Sequence, residues 1–85
     1  MNFELAIRAE FVTQHLMHEQ GVKPTLPLEM YVQIGYDLML EDPKKWQKIN
    51  QAYELDIKRC LKSGIGNRKA FKFRKLTTPT GARDE

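Results

Sequence analysis

Turn and capping residues divide this chain into three helical segments and a C-terminal segment of different composition. Gly21 ends the first segment, at the usual position of a left-handed residue after a helix. Asp42 followed by Pro43 is typical of a helix start, because the carboxylate caps free backbone N–H groups and a proline nitrogen needs no partner there. Ser63-Gly64 ends the third segment. These signals predict helices over residues 3–20, 28–40 and 43–62.

The second helix is expected to be the central and most buried one. Thr25 or Leu26 would cap it, with Pro27 in its first turn. Its apolar residues cover most of its circumference and leave a narrow polar strip, formed by Glu29, Gln33 and Asp37. Gly35 lies in the apolar arc, although glycine costs about 1 kcal/mol relative to alanine inside a helix. We therefore expect another helix to cross closely at Gly35.

The third segment has the clearest amphipathic pattern. Its apolar residues recur at steps of three and four, so they share one helical face. That face consists of Trp46, Ile49, Tyr53, Ile57, Cys60 and Leu61. The pattern predicts a single helix over the whole segment.

The length and the pattern together predict the fold class. A chain of 85 residues makes one domain at most. We predict an all-α fold, with a three-helix domain over residues 1–63 and a basic, partly extended C-terminal arm over residues 64–85. Residues 70–76 alternate partly with period two, as a short strand does, and residues 77–83 have the composition of a disordered end. In so small a domain, the free energy gained by burying apolar surface is little larger than the conformational entropy lost on folding. We therefore expect a partner or a second copy to add to the stability of the fold.

Charge is divided unevenly along the chain. Residues 57–85 carry nine Lys and Arg against two acidic residues, whereas residues 1–56 carry five against nine. A like-charged run of this kind favours binding to a polyanion or to an acidic protein surface. A solvated tail that only aids solubility, or an arm that orders on an acidic protein, fits the same composition.

Two phenylalanines interleave with these cations. Cations contact phosphates whatever the base sequence, and aromatic rings stack on unpaired bases, so the mixture suits RNA or single-stranded DNA better than a duplex. No helix-turn-helix pattern accompanies it. The candidate residues for binding nucleic acid or an acidic partner are Lys58, Arg59, Lys62, Arg68, Lys69, Phe71, Lys72, Phe73, Arg74 and Lys75.

The first helix carries two apolar stripes on a helical wheel. One consists of Leu5, Ala9, Val12 and Leu16. The other, nearly opposite, gives the candidate protein-binding residues Phe3, Ile7, Phe11, Gln14 and His18. A helix that is apolar on two sides is either enclosed by its own fold or shared with a neighbour. We expect a docking surface for a larger protein or a homodimer interface; alternatively, Phe71, Phe73 and Leu76 fold back over the stripe.

Little in the sequence suggests catalysis or metal binding. His15 and His18 lie three residues apart, but zinc needs three or four ligands and the chain has no other histidine. We expect both histidines at the surface and the single cysteine, Cys60, in an apolar core. The sequence has no phosphate-binding glycine loop, and its carboxylates fall on a solvated edge. We expect no enzyme activity, no metal and no cofactor.

Two hypotheses of function remain. In the first, the chain is a non-catalytic regulator or inhibitor that docks on a larger protein, one of a nucleic-acid-handling complex, with its arm reaching acidic surface or phosphate. In the second, the arm binds nucleic acid directly and the helices hold or dimerise it. We favour the first, because an exposed second apolar face usually marks an interaction site.

The expected location is the cytoplasm. The N-terminus lacks the pattern of a signal peptide, and no apolar stretch reaches the roughly 18 residues of a membrane-spanning helix, so no membrane partner is expected. Compact helices with a charged arm are also common among small modulators encoded by viruses and plasmids.

Overall fold

The computed structural model describes residues 2–64 and 71–76 of the chain. There the chain forms four helices: α1 (Phe3–Glu19), α2 (Leu28–Glu41), α3 (Pro43–Ala52) and α4 (Glu54–Ser63). These residues contain no strand, so the all-α prediction is confirmed. The helix count is corrected from three to four. Residues 71–76 have no regular secondary structure, and the short strand predicted there does not form.

Helices α3 and α4 replace the single helix that the amphipathic pattern predicted. They are separated by one residue, Tyr53, whose backbone (φ −109°, ψ 15°) departs from helical values. The hydrogen bonds Tyr53 N–H to Ile49 O (3.2 Å) and Ile57 N–H to Tyr53 O (2.8 Å) span the junction, so the apolar face continues through it. Proline and glycine, the usual sequence signals of a kink, are absent there. The break instead coincides with the burial of the Tyr53 ring against α1 and residues 71–76.

The start of α2 also differs from the prediction. Neither Thr25 nor Leu26 caps the helix; Pro27 is the N-cap residue, and no side chain accepts a hydrogen bond from the first turn. The Pro27 carbonyl accepts the N–H of Met30 at 3.0 Å and that of Tyr31 at 3.3 Å. The proline therefore lies just before the first turn rather than inside it.

The other boundary signals are confirmed. Pro43 begins α3, and Oδ1 of Asp42 accepts the N–H of Lys45 at 3.2 Å. Gly64 follows α4 in the left-handed region (φ 72°), where a side chain would be strained. These residues act locally, through backbone conformation and capping, which is why the sequence alone reveals them.

The core is built around α1 rather than α2. Nine residues of α1 are buried, against three of α2, and Leu28 and Leu40 of the α2 apolar arc remain exposed. The expectation of a central α2 is therefore wrong. The main core cluster consists of Ile7, Phe11, Val12, Ile49, Tyr53, Ile57 and Cys60. The predicted burial of Cys60 is confirmed, and this burial raises the pKa of its thiol.

Helices α1 and α2 cross closely at Gly35, as the sequence predicted. A Cβ atom placed on Gly35 would lie 2.6 Å from the Cα, the Cβ and the carbonyl oxygen of Ala9. The hydroxyl of Thr13 donates a hydrogen bond to the carbonyl of Tyr31 in the same interface. Glycine at position 35 is thus what allows the two backbones to approach.

An arginine fastens α1 to α3 and α4 on another side. Nη1 and Nη2 of Arg8 donate to the two carboxylate oxygens of Glu54 at 2.9 and 3.1 Å. Nη1 also donates to Oδ1 of Asn50 at 3.1 Å, and Glu4 accepts from the same guanidinium at 3.0 Å. The hydrogen bonds and charge of Arg8 lower the pKa of Glu54. Paired in this way, the guanidinium fixes the register of α1 against both helices.

Candidate functional site

The second apolar stripe of α1 is mostly covered. Ile7, Phe11 and Gln14 are 1 %, 0 % and 3 % exposed, whereas Phe3 (53 %) and His18 stay at the surface. The five predicted protein-binding residues therefore do not form one open face. Residues 71–76 account for part of this burial, as the fold-back alternative predicted. The remainder of the arm, residues 65–70 and 77–85, lies outside the described part of the chain.

Residues 71–76 lie over a surface that we call the aromatic cleft. Its members are Phe11, His15, His18, Tyr53 and Asp56. The ring centroid of Phe71 lies 5.9 Å from that of Phe11, 5.3 Å from that of Tyr53 and 5.1 Å from that of His18. All three distances fall within the usual range for attractive aromatic pairs. Phe71 is thus partly buried and packs against the core cluster.

The second phenylalanine of the segment stacks on both histidines of α1. The Phe73 ring lies 5.1 Å from the His15 ring at an interplanar angle of 13°, and 5.7 Å from the His18 ring at 24°. Phe73 remains 43 % exposed on its outer side. The sequence predicted that Phe71 and Phe73 stack on bases; in the structure their rings contact the protein's own aromatic side chains.

Polar contacts hold the segment in register. The backbone N–H of Arg74 donates to the Tyr53 hydroxyl at 2.9 Å. Nε of Arg74 donates to Oδ2 of Asp56 at 3.0 Å, and Arg59 approaches the other carboxylate oxygen at 3.5 Å. The Asp56 side chain is only 8 % exposed, whereas that of Arg74 is 51 % exposed. Arg74, predicted as a nucleic-acid contact, is therefore engaged by a largely buried carboxylate.

His15 is fully buried, so the expectation of a surface histidine is wrong at this position. Its Nδ1 lies 2.8 Å from the Tyr53 hydroxyl, and its Nε2 lies 3.2 Å from Oε2 of Glu19, without a well-formed hydrogen bond. Burial lowers the pKa of His15, and the neighbouring Glu19 carboxylate opposes this only in part. The neutral ring with its proton on Nε2 suits both neighbours, since Nδ1 then accepts from Tyr53. His18 is exposed, as predicted.

The remaining predicted basic residues are distributed over two elements. Lys58, Arg59 and Lys62 project from α4, and Lys72 and Lys75 from the C-terminal segment; all five are exposed. Arg68 and Lys69 lie outside the described residues. Leu76 lies in a shallow depression lined by three lysines and two acidic residues of the helical body, Lys44, Lys45, Lys48, Glu19 and Asp42. Leu76 thus lies beside lysines of α3 that were not among the residues predicted to bind nucleic acid or an acidic partner.

An apolar groove lies between α1 and α2, with a volume of about 480 Å³. Phe3 and Leu28, which line it, are 53 % and 48 % exposed. Its full lining consists of Phe3, Ala6, Ile7, Glu10, Leu28, Glu29, Val32, Gln33 and Tyr36. These lining residues include two carboxylates and no basic side chain. Phe3 and Ile7 belong to the predicted protein-binding stripe, so the groove retains part of that prediction.

Sequence reasoning missed the α2 side of this groove. Leu28, Val32 and Tyr36 were assigned to a buried helix because the apolar arc of α2 is wide. The available signal was that this arc is wider than one contact with α1 can cover. Which part of it stays open depends on the crossing at Gly35, and that is a tertiary property.

Comparison of the chain with models of known protein families, with curated proteins and with solved structures found no match. Among residues 2–64 and 71–76, no helix has the length and apolar character needed to cross a membrane. In the same residues, no three His, Cys, Asp or Glu side chains come together in a way that could hold a metal ion.

Proposed function

We propose that this chain is a small non-catalytic regulatory protein that docks on a larger protein through the α1–α2 groove. The observation that carries the proposal is the exposure of Phe3 and Leu28 on either side of an apolar depression. Exposed apolar surface of this kind, formed by neighbouring helices, is typical of sites that receive an apolar segment of a partner.

The lining residues indicate the chemistry of the partner. Ile7 and Val32 provide an apolar floor, and Glu29 adds an exposed carboxylate at the edge. An amphipathic helix fits such a groove when its apolar residues enter and a lysine or arginine beside them pairs with Glu29. We therefore propose that the partner presents a helix with a basic edge.

The basic residues of α4 and the C-terminal segment give this regulator a second, weaker contact. Lys58, Lys62, Lys72 and Lys75 are exposed and lie outside the groove. A partner that belongs to a nucleic-acid-handling complex would offer these lysines either acidic protein surface or phosphate. Long-range attraction of this kind raises association rates and depends on salt.

The proposal is tested by capture with matched variants. Tagged wild-type protein is compared with a Phe3→Ser/Leu28→Ser variant and with Leu55→Ser, which removes an equally apolar side chain that is 73 % exposed on α4. Because central apolar contacts dominate interfaces, we expect the groove variant to lose its partner by about tenfold or more. Leu55→Ser should retain it. Equal capture by both variants, with helix content unchanged by circular dichroism, would refute docking in the groove.

A charge reversal distinguishes a local effect at the groove from an effect of the net charge of the protein. Glu29→Lys should weaken partner capture, because the edge carboxylate would then repel a basic partner. Glu41→Lys makes the same change in net charge at the exposed end of α2 and should have little effect.

Self-association is measured separately by light scattering, because a homodimer formed through the groove would be disrupted by the same Phe3→Ser/Leu28→Ser change.

Direct nucleic-acid binding is the second candidate. The observation that favours it is the position of Leu76 beside Lys44 and Lys48, which places the segment next to lysines of α3. With roughly 4–6 phosphate contacts, the logarithm of the binding constant for single-stranded RNA should fall against the logarithm of salt concentration with a slope of about −3 to −5. A slope near zero would exclude this mechanism. Lys72→Ala/Lys75→Ala should flatten the slope if the segment takes part.

A further inference from the structure

We propose that the aromatic cleft is a recognition site for peptide segments of the form aromatic–any residue–aromatic–arginine, and that residues 71–74 occupy it as a resident ligand. A partner protein carrying such a segment would bind by displacing residues 71–74. This site is separate from the α1–α2 groove, and the proposal does not depend on docking there.

The side chains at the first, third and fourth positions of the motif all contact the cleft, and the two phenylalanines share the His18 ring. Phe71 contacts Phe11 and Tyr53. Phe73 contacts His15 and His18. The second position, Lys72, is exposed. The cleft therefore contacts alternate residues of a non-helical segment and leaves the intervening residue in solvent. Such a site selects peptides by the side chains at the contacted positions.

The backbone of the segment is recognised as well. The Tyr53 hydroxyl accepts the N–H of Arg74 at 2.9 Å and lies 3.3 Å from the carbonyl oxygen of the same residue. Because the Tyr53 hydroxyl gives its one proton to Nδ1 of His15, it recognises the segment by accepting the Arg74 N–H, and this hydrogen bond fixes the position of the segment along its length. The guanidinium of Arg74 then meets the Asp56 carboxylate, which is 8 % exposed and paired on its other side by Arg59. A charge buried to this degree favours a charged ligand residue over a neutral one.

The way residues 71–74 are tethered determines how a partner competes with them. Residues 64–70 join the segment to α4 in the sequence, and covalent attachment over so few residues gives an effective concentration on the order of millimolar. A free peptide at micromolar concentration therefore competes poorly with the resident segment of the wild-type chain, and a partner protein displaces that segment only if it adds contacts outside the cleft. Substitutions that weaken the contacts of the resident segment should allow a separate peptide of the same sequence to bind in the cleft.

The test uses the full-length chain with its own segment disabled. Phe71→Ala/Phe73→Ala is titrated with a fluorescent peptide that has the sequence of residues 70–76, and binding is followed by fluorescence anisotropy. We expect saturable binding to this variant and at least about tenfold weaker binding to the wild type. Arg74→Ala is a second variant with a weakened resident segment, and it keeps both phenylalanine rings. Its affinity for the peptide should lie between those of the wild type and of Phe71→Ala/Phe73→Ala.

Two control peptides identify which contacts matter. A peptide with both phenylalanines changed to alanine keeps every charge and should bind about tenfold weaker or worse, since the aromatic contacts are lost. A peptide with arginine changed to glutamine should bind about three- to tenfold weaker, because the Asp56 pair is lost. Binding by the phenylalanine-free peptide as tight as that of the parent peptide would overturn the proposal, since charge alone would then explain the association.

The histidine rings report whether the peptide enters the cleft. In wild-type protein the ring of Phe73 should shift the imidazole proton resonances of His15 and His18. These shifts should disappear in Phe71→Ala/Phe73→Ala and return when the peptide is added. A folded variant that fails to bind the peptide at about 1 mM, the concentration the tether provides, would overturn the proposal. So would self-association of that variant without peptide, because the cleft would then be a surface for a second copy.

Discussion

The backbone N–H of Arg74 donates a hydrogen bond to the hydroxyl of Tyr53 at 2.9 Å, across 21 positions of the chain. The same hydroxyl lies 2.8 Å from Nδ1 of His15. One oxygen atom therefore joins α1, the junction between α3 and α4, and the C-terminal segment. Several properties of the molecule depend on this point of contact.

Removing the hydroxyl should destabilise the fold while leaving the ring in place. Tyr53→Phe leaves the Arg74 N–H and His15 Nδ1 without this partner, and we expect a loss of about 1–2 kcal/mol in the free energy of unfolding. Urea denaturation measures it. Tyr36→Phe is the matched control, since the Tyr36 hydroxyl makes no hydrogen bond to any described residue, and it should change stability by less than about 0.5 kcal/mol. Equal effects of the two substitutions would contradict the role given to Tyr53.

Burial of His15 should make stability depend on pH near neutrality. The ordinary pKa of 6.5 applies to the unfolded chain, and burial lowers the pKa of His15 in the fold. Between the two values the unfolded chain binds more protons, so stability should be complete above about pH 6.5 and fall as the pH falls below it. The charges around the ring are Glu19, which opposes the shift, with Lys45 and His18, which add to it.

Urea midpoints measured from pH 7.5 to 5.5 test this dependence. His15→Gln should flatten the profile across that interval, because the buried titrating group is gone. His18→Gln removes the exposed neighbour and should leave the decline in place. A wild-type midpoint that rises on acidification would show that the sign is wrong.

The crossing of α1 and α2 should not tolerate a methyl group. Gly35→Ala would improve helix propensity by about 1 kcal/mol, but overpacking against a fixed backbone costs about 1–3 kcal/mol or more. Since the overlap at 2.6 Å includes the Cα and carbonyl oxygen of Ala9, we expect net destabilisation. Thermal denaturation measures it. Adding Ala9→Gly should not restore stability, because the backbone overlap remains; full rescue by the double variant would contradict the close approach.

The sequence predicted those parts of the fold that depend on local chemistry. The Asp42-Pro43 start of α3, the end of α4 at Gly64 and the close crossing at Gly35 follow from capping, left-handed conformation and the absence of a side chain. The break at Tyr53 has no local signal, because it coincides with contacts to α1 and to Arg74 that are distant in sequence.

The candidate sites were harder to predict for a related reason. The two stripes of α1 showed that something covers or binds the helix, but a wheel diagram cannot distinguish the chain's own segment from a partner. Phe11 proved to be covered by Phe71, whereas Phe3 stayed exposed beside Leu28. The outcome depends on how the helices pack, and the pattern of one helix does not contain that information.

The most direct measurement of the proposed function is site-specific photo-crosslinking in the cells that express the chain. A photoreactive phenylalanine analogue is placed at Leu28, in the α1–α2 groove, and in a second protein at Leu55, on α4. We predict a discrete crosslinked protein from position 28 that is absent from position 55 and is lost when Glu29→Lys is added. The same crosslinks from both positions, or none from position 28 while the protein is folded and expressed, would contradict docking through the groove.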